Sequence, residues 1–345
     1  MREPFRDRLF RLISDLVLCH SPSGAEQEID AFILARLDSI GVEADQDDAG
    51  NIIATLRGAG SSRTVAITAH KDEIGGIVKR VREDGKLEVR KLAGVYPWIY
   101  GEGVVDLLGD RLTVPAILSF GSRHVCHESP QKIYEEDKPP KWNTVWVDAK
   151  MSKSELADAG VRPGTRMIVG RHRKTPFRMG NYIASYALDN KAAVAILLLL
   201  AETLKTPASN IDLVFSAKEE VGAIGALYYT RQKRVDELIA IEIAPKSAEY
   251  PIESDEEPVL LSVDSYGMYD ETLNRRLADA ALKAGVGVQY AILSQFGSDA
   301  SVSMKSGHVP KAACLGFPAD NTHGYEIAHL GALEACYRLL QTYLR

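Results

Sequence analysis

The stretch Ile211-Asp212-Leu213-Val214-Phe215-Ser216-Ala217-Lys218-Glu219-Glu220-Val221-Gly222-Ala223-Ile224-Gly225-Ala226 decides how this chain is read. It starts as an apolar strand, ends as the opening of a helix, and carries two adjacent acids, Glu219 and Glu220, at the corner between them. Neighbouring side chains at such a corner point in different directions, so one carboxylate can hold a metal while the other handles a proton. Alone, the pair also reads as solvated charge at a strand end.

A metal centre needs neutral imidazoles and ionised carboxylates converging from several elements. Four more strand ends or helix starts supply them. The strand at 64–69 runs into His70-Lys71-Asp72-Glu73, where a period of two sets His70 and Asp72 on the same side. Leu188-Asp189-Asn190-Lys191 precedes the Ala/Leu-rich stretch 192–200, which reads as a buried helix with Asp189 at or near its N-cap. Glu242 closes a strand at 238–241, and His323 lies in a loop between an apolar strand at 312–317 and a last helix from about His329. Singly, each has a plainer role. Asp189 would be a cap worth about 1 kcal/mol, His323 a surface histidine, Glu242 a strand end, and His70 with Asp72 a hydrogen-bonded pair. Their common placement in one alternating β/α pattern favours a single site, because sites in open α/β sheets gather at the carboxyl ends of strands.

Seven stretches now stand in order: Ser21-Pro22-Ser23-Gly24-Ala25-Glu26, Asp48-Ala49-Gly50-Asn51, His70-Lys71-Asp72-Glu73-Ile74-Gly75, Leu188-Asp189-Asn190-Lys191, Glu219-Glu220-Val221-Gly222, Gly297-Ser298-Asp299-Ala300 and Thr322-His323-Gly324-Tyr325-Glu326. With them the chain resembles, over nearly its full length, the tetrahedral dinuclear metallo-aminopeptidases, also called the glutamyl aminopeptidase or endoglucanase-M family. The resemblance implies that Asp189 bridges two divalent metals, with His70 and Glu242 on one and Glu220 and His323 on the other. Zinc is the first expectation, with cobalt or manganese as alternatives. Glu219 would be the general base and Asp72 would orient the His70 imidazole, while Asp299 would sit in a loop near the substrate. A metal-bridging hydroxide, formed as Glu219 takes its proton, would attack the peptide carbonyl, and Glu219 would return the proton to the leaving amine. The charges agree: two divalent ions bring four positive charges and Asp189, Glu220 and Glu242 three negative ones, so one hydroxide makes the cluster neutral.

The resemblance also implies a cis peptide after Asp189, short peptide substrates cleaved at the amino terminus, and a homo-oligomer, a tetrahedral dodecamer. The sequence departs from the family's pattern at Glu242, where Asp is usual, at Lys71, usually small or apolar, and at Lys191, usually Arg. Side-chain preference stays open, since Lys246, Lys305 and Lys311 would favour an acidic residue only by turning toward the site. Two other readings stand beside the peptidase: a deacylase at the same site, and a catalytically inactive multimeric scaffold that binds peptides. An endoglucanase is disfavoured, because glycoside cleavage ordinarily uses two carboxylates flanking the bond.

Organisation and composition fit an α/β fold, a mixed β-sheet flanked by helices, like the zinc exopeptidases of the resemblance. Helices are expected at 5–19 and 25–40, and alternation resumes after Gly180. Between them, short β-like pieces at 77–81, 86–91, 112–118, 145–147 and 166–169, with one short helix near 152–159, read as a small inserted β-barrel. The catalytic domain is thus expected over 1–73 and 178–345, and a dimerisation or gating barrel over 74–177. Residues 122–142, rich in Pro, Lys and Glu, read as a long surface loop. A net charge of −6 argues against a nucleic-acid partner. The longest apolar run, 192–201, is too short to span a bilayer. Arg6, Asp7, Arg8, Arg11 and Asp15 make 5–18 an amphipathic helix rather than a signal sequence. Four cysteines without paired spacing, Cys19, Cys126, Cys314 and Cys336, read as reduced thiols of a cytoplasmic protein.

Overall fold

The computed structural model describes residues 3–58, 63–122, 124, 132 and 137–345. Most of the loop expected at 122–142, with Cys126, lies outside them. The chain divides into two compact units, one running to Glu73 and again from Pro176 to Arg345, the other from Ile74 to Thr175.

The first unit is built on a 12-stranded mixed sheet. Its centre is four parallel neighbours in the order Asn210–Ser216, Thr64–His70, Glu237–Pro245 and Ala312–Asp320. All four strands are buried along nearly their whole length, which explains why they read as apolar runs rather than alternating ones. The helix Leu188–Thr203 is apolar all round from Ala192 to Ala201, and every residue from Leu188 to Ala201 is buried, as expected of a helix enclosed within a core. The amphipathic Phe5–Leu18 helix buries Leu9, Leu12, Ile13, Leu16 and Val17, joining the same core as Ile67, Leu197 and Leu333.

The strand ends set the site. Ser216 pairs with His70 in register, so the corner bearing Glu219 and Glu220 leaves the sheet beside His70. Ala240 pairs with Thr68; two residues further along each strand, Glu242 and His70 repeat the same facing direction. Glu242 was expected to close its strand. Instead the strand continues to Pro245, because Ile243, Ala244 and Pro245 remain paired with Phe317, Pro318 and Ala319.

The second unit contains a closed six-stranded antiparallel barrel. Its strands are Gly75–Val81, Leu87–Leu92, Gly103–Leu108, Thr113–Ser119, Trp146–Asp148 and Arg166–Val169. Val114, Ala116 and Leu118 are buried while Thr113, Pro115 and Ile117 are exposed, the period-two pattern of a barrel wall. The short helix Lys153–Asp158 begins at a capping box in which Ser152 and Glu155 bond each other's backbone N–H groups.

Candidate functional site

His70 and Asp189 meet at the carboxyl edge of the parallel strands, His70 Nε2 lying 3.1 Å from Asp189 Oδ1. The same imidazole nitrogen is 3.8 Å from Glu242 Oε2 and 4.0 Å from Glu219 Oε2. On the far side of Asp189, His323 Nε2 is 3.4 Å from Oδ2 and 3.7 Å from Glu220 Oε2. Two triads result, His70–Asp189–Glu242 and Asp189–Glu220–His323, each with its ligand atoms within 4.8 Å of one another and with Asp189 common to both. The N-cap of its helix is Ala187, and Asp189 keeps a non-helical backbone while its two oxygens turn to the two imidazoles. The Asp189–Asn190 peptide is cis.

The donor set fits divalent ions on two counts. Ligand atoms held about 2.1 Å from a tetrahedral ion lie about 3.4 Å apart, the scale of the four separations from 3.1 to 3.8 Å seen here. Proton bookkeeping agrees. His70 Nδ1 is 3.0 Å from the Asp72 carbonyl, and a carbonyl only accepts, so Nδ1 carries the proton. In the neutral ring Nε2 then presents a lone pair to the carboxylates of Asp189 and Glu242, an arrangement that needs positive charge between them. Burial alone would push the His70 pKa down, but Glu242 and the bonds from Asp189 and Asp72 hold it well above the ordinary histidine value. Burial likewise drives Glu242 and Glu219 well above the usual carboxylate range and Glu220 up to about 7. Crowded, buried acids with raised pKa values are what a bound cation relieves.

Asp72 lies against both the imidazole and the glutamate corner. Its carboxylate lies 3.6 Å from His70 Nδ1, close enough to favour the charged imidazole, and also accepts the backbone N–H groups of Glu219 at 2.9 Å and Glu220 at 3.3 Å and the Ser23 hydroxyl at 2.6 Å. The acid thus positions the glutamate corner, and its own backbone orients the imidazole. Asn51 steadies the same corner, accepting from Ala217 N–H and donating to the Gly225 carbonyl. A Cβ at Gly225 would strike Asn51 Oδ1 and the Ala217 carbonyl, which is why glycine stands there.

Glu326 was not singled out from the sequence as a site residue. Its carboxylate accepts the backbone N–H of Asp189 at 2.9 Å and of His323 at 3.0 Å, so one buried acid sets the backbone of two candidate ligands. Burial, with Asp189 nearby, pushes it up to about 8. Asp299, expected in a loop, opens the helix Asp299–Lys305, which Ser298 caps. It is buried, accepts the Ser216 hydroxyl and is pushed by burial up to about 6.

The two lysine departures turn away from the chemistry. Lys71 pairs with Glu26 and with Asp30 at 2.7 Å. Lys191 Nζ lies 2.7 Å from Glu73 Oε1 and donates to the Cys19 carbonyl at 2.6 Å. Five non-glycine residues in the site loops, Ala187, Lys218, Ala223, Asn321 and His323, take positive φ, each at a cost of about 1 kcal/mol or more. The site opens into a cavity of about 220 Å³. Among the described residues, no helix is long and apolar enough to cross a membrane.

Comparison with known proteins agrees with this architecture. The protein YhfE of Bacillus subtilis is 27% identical over 352 aligned residues, covering 98% of this chain and 97% of its own. The glutamyl aminopeptidase of Lactococcus lactis is 24% identical over 69% of this chain and 67% of its own. Among solved structures, an aminopeptidase from the archaeon Desulfurococcus kamchatkensis superposes with a TM-score of 0.88 at 23% identity, covering 99% of this chain and 95% of that one. The TET1 peptidase of Pyrococcus horikoshii superposes with a TM-score of 0.86 at 22% identity over 97% and 98%, respectively. The family model for the M42 glutamyl aminopeptidases matches residues 50–339, and the chain belongs to that family.

Proposed function

We propose that the protein is a metal-dependent aminopeptidase that removes amino-terminal residues from short peptides. The observation that carries this reading is the pair of triads sharing Asp189, with Glu219 beside them. His70, Asp189 and Glu242 would hold one divalent ion and Asp189, Glu220 and His323 the other. Their imidazole and carboxylate donors suit zinc, and also cobalt or manganese. Such ions, when bound, polarise a peptide carbonyl and make water a stronger acid. Glu219 takes the proton of the attacking water and passes it to the leaving amine. Burial favours its protonated form, which suits the second transfer. Asp72 holds the Glu219 backbone and Glu326 that of Asp189 and His323, so the groups that move protons and bind ions rest on fixed peptides.

We extend the proposal to assembly and location. The Pyrococcus horikoshii TET1 peptidase can assemble into a tetrahedron or a large octahedral shell, and a tetrahedral homo-oligomer, a dodecamer, is proposed here, with the barrel unit serving dimerisation or gating. Buried cysteines at 19, 314 and 336 that form no disulfide among the described residues suit the reducing cytoplasm. Relatives named glutamyl and lysyl aminopeptidase act by name on opposite charges, so family membership leaves the preferred residue open.

The test is hydrolysis of aminoacyl anilides by protein loaded with zinc, cobalt or manganese, alongside metal content per subunit. Turnover that a chelator abolishes, that metal restores, and that acetylation of the substrate amine prevents is the expected result. Turnover of acetylated substrates alone would point to a deacylase. No turnover by fully loaded protein would point to an inactive scaffold.

A further inference from the structure

We infer that the cavity at the candidate metal centre receives an uncharged, apolar amino-terminal side chain of leucine, methionine or phenylalanine size, held by a wall of Tyr266, Phe296 and Val302. The inference rests on the aminopeptidase reading and adds its substrate class.

The cavity is lined by His70, Asp189, Glu219, Glu220 and His323. With them stands a wall of Tyr266, Phe296 and Val302, joined by Gln295, Gly297, Gly222 and Ala223. Among the described residues that line it there is neither lysine nor arginine, and its only carboxylates are those of Asp189, Glu219 and Glu220. A glutamyl side chain would enter with no counter-ion on the wall and with Glu219 and Glu220 in the same space; a lysyl one would lose its water to aromatic and aliphatic surface. Of the lysines that could have favoured an acidic residue, Lys246 pairs with Asp255, while Lys305, whose Nζ sits 5.3 Å from the centroid of the Tyr266 ring, and Lys311 do not line the cavity.

The wall is built before any substrate arrives. Ser265 N–H donates to the Phe296 carbonyl at 3.0 Å, Phe296 N–H donates to Ser265 Oγ at 3.2 Å, and Ser265 Oγ donates to the Ser294 carbonyl at 2.7 Å. These bonds tie the turn after the Val259–Asp264 strand to the loop before the Asp299–Lys305 helix. Asp264 Oδ1 accepts Tyr266 N–H at 2.8 Å. The Tyr266 ring lies so close to Gly297 that a Cβ there would collide with it, so glycine at 297 is what lets the ring cover the cavity wall. A rigid apolar wall selects by lost hydration and shape, and discriminates strongly against charge.

The experiment is a panel of leucyl, methionyl, phenylalanyl, alanyl, glutamyl and lysyl anilides with the metal-loaded full chain. The expected result is kcat/KM for the best of leucyl, methionyl and phenylalanyl at least tenfold above glutamyl and lysyl. Tyr266→Ala should lower the leucyl-to-alanyl ratio severalfold, and Gln295→Lys, a surface change, should raise glutamyl relative to leucyl turnover. As a readout without turnover, Glu219→Gln protein should bind a leucyl tripeptide more tightly than a glutamyl one by calorimetry. A glutamyl or lysyl substrate preferred over all three apolar ones overturns this inference and leaves the aminopeptidase reading standing. Failure to cleave any member of the panel overturns both.

Discussion

The backbone N–H of Glu219 donates to Asp72 Oδ1 at 2.9 Å, joining the proposed base to the residue two places beyond His70. With the bonds from Glu220 N–H and Ser23 Oγ, the carboxylate fixes the corner from which both glutamates project. Asp72→Ala would leave two backbone donors without this acceptor, at about 1–3 kcal/mol each where they stay buried. A shift of the base by about 1 Å can cost about 10²-fold in rate. We expect kcat to fall by about that factor, with KM changed much less, and metal content per subunit measured in parallel. A kcat near wild type would remove Asp72 from the positioning of Glu219.

Glu219 is argued to move protons rather than to hold metal. Glu219→Gln keeps the shape and abolishes the proton transfer, so kcat should fall by about 10²–10⁴-fold while the metal stoichiometry stays at its wild-type value. Equal loss of metal and activity would instead make Glu219 a ligand.

The parallel centre and its strand ends were legible because four apolar runs each led into His, Asp or Glu, and strand register then does the rest: Ser216 against His70, Ala240 against Thr68. Other features left no periodic trace. Glu326 acts through two distant backbone N–H groups, a tertiary relation invisible to pattern. The helix Asp299–Lys305 has seven residues and little apolar repeat, below the length at which a 3.6-residue period can be read. The barrel strand Gly103–Leu108 follows the short helix Pro97–Tyr100 and is masked by it. Glu242 looked like a strand end because an acid within an apolar run reads as its boundary, whereas here the sheet continues past it and the carboxylate is absorbed by the site.

Away from the site, Glu237 gives a pH dependence of known sign. It is 3% exposed and pairs with Arg63 and Arg276, with Tyr343 Oη donating at 2.6 Å. Burial pushes its pKa up, but the bonds from Arg276, Tyr343 and Arg63 outweigh burial and hold it below the ordinary glutamate value of 4.5. A depressed folded-state pKa contributes stability that is present above the unfolded value and is lost as pH falls through the folded one. Wild type should therefore lose urea stability on going from pH 7 to below 4.5 in part through this group. Glu237→Gln should be less stable at pH 7 and should lose less over the same interval. Acidification of the proposed metal ligands affects both proteins alike, so the difference between their slopes reports Glu237.

Glu242 offers the sharpest test of the ligand assignment, because its backbone position is fixed by pairing with Gly316 and cannot advance to compensate for a shorter side chain. Its Oε2 lies 3.8 Å from His70 Nε2 and accepts the Ile243 N–H at 3.3 Å. Glu242→Asp withdraws the carboxylate by one methylene, so the ion shared with His70 should bind more weakly, by about tenfold or more, while the ion shared by Glu220 and His323 is retained. Titration of metal-free protein, followed by metal analysis, should then resolve one tight and one weakened site where wild type is expected to give two tight ones. Two unchanged sites in Glu242→Asp would mean that Glu242 is not a ligand and that its buried charge is balanced by His70 alone.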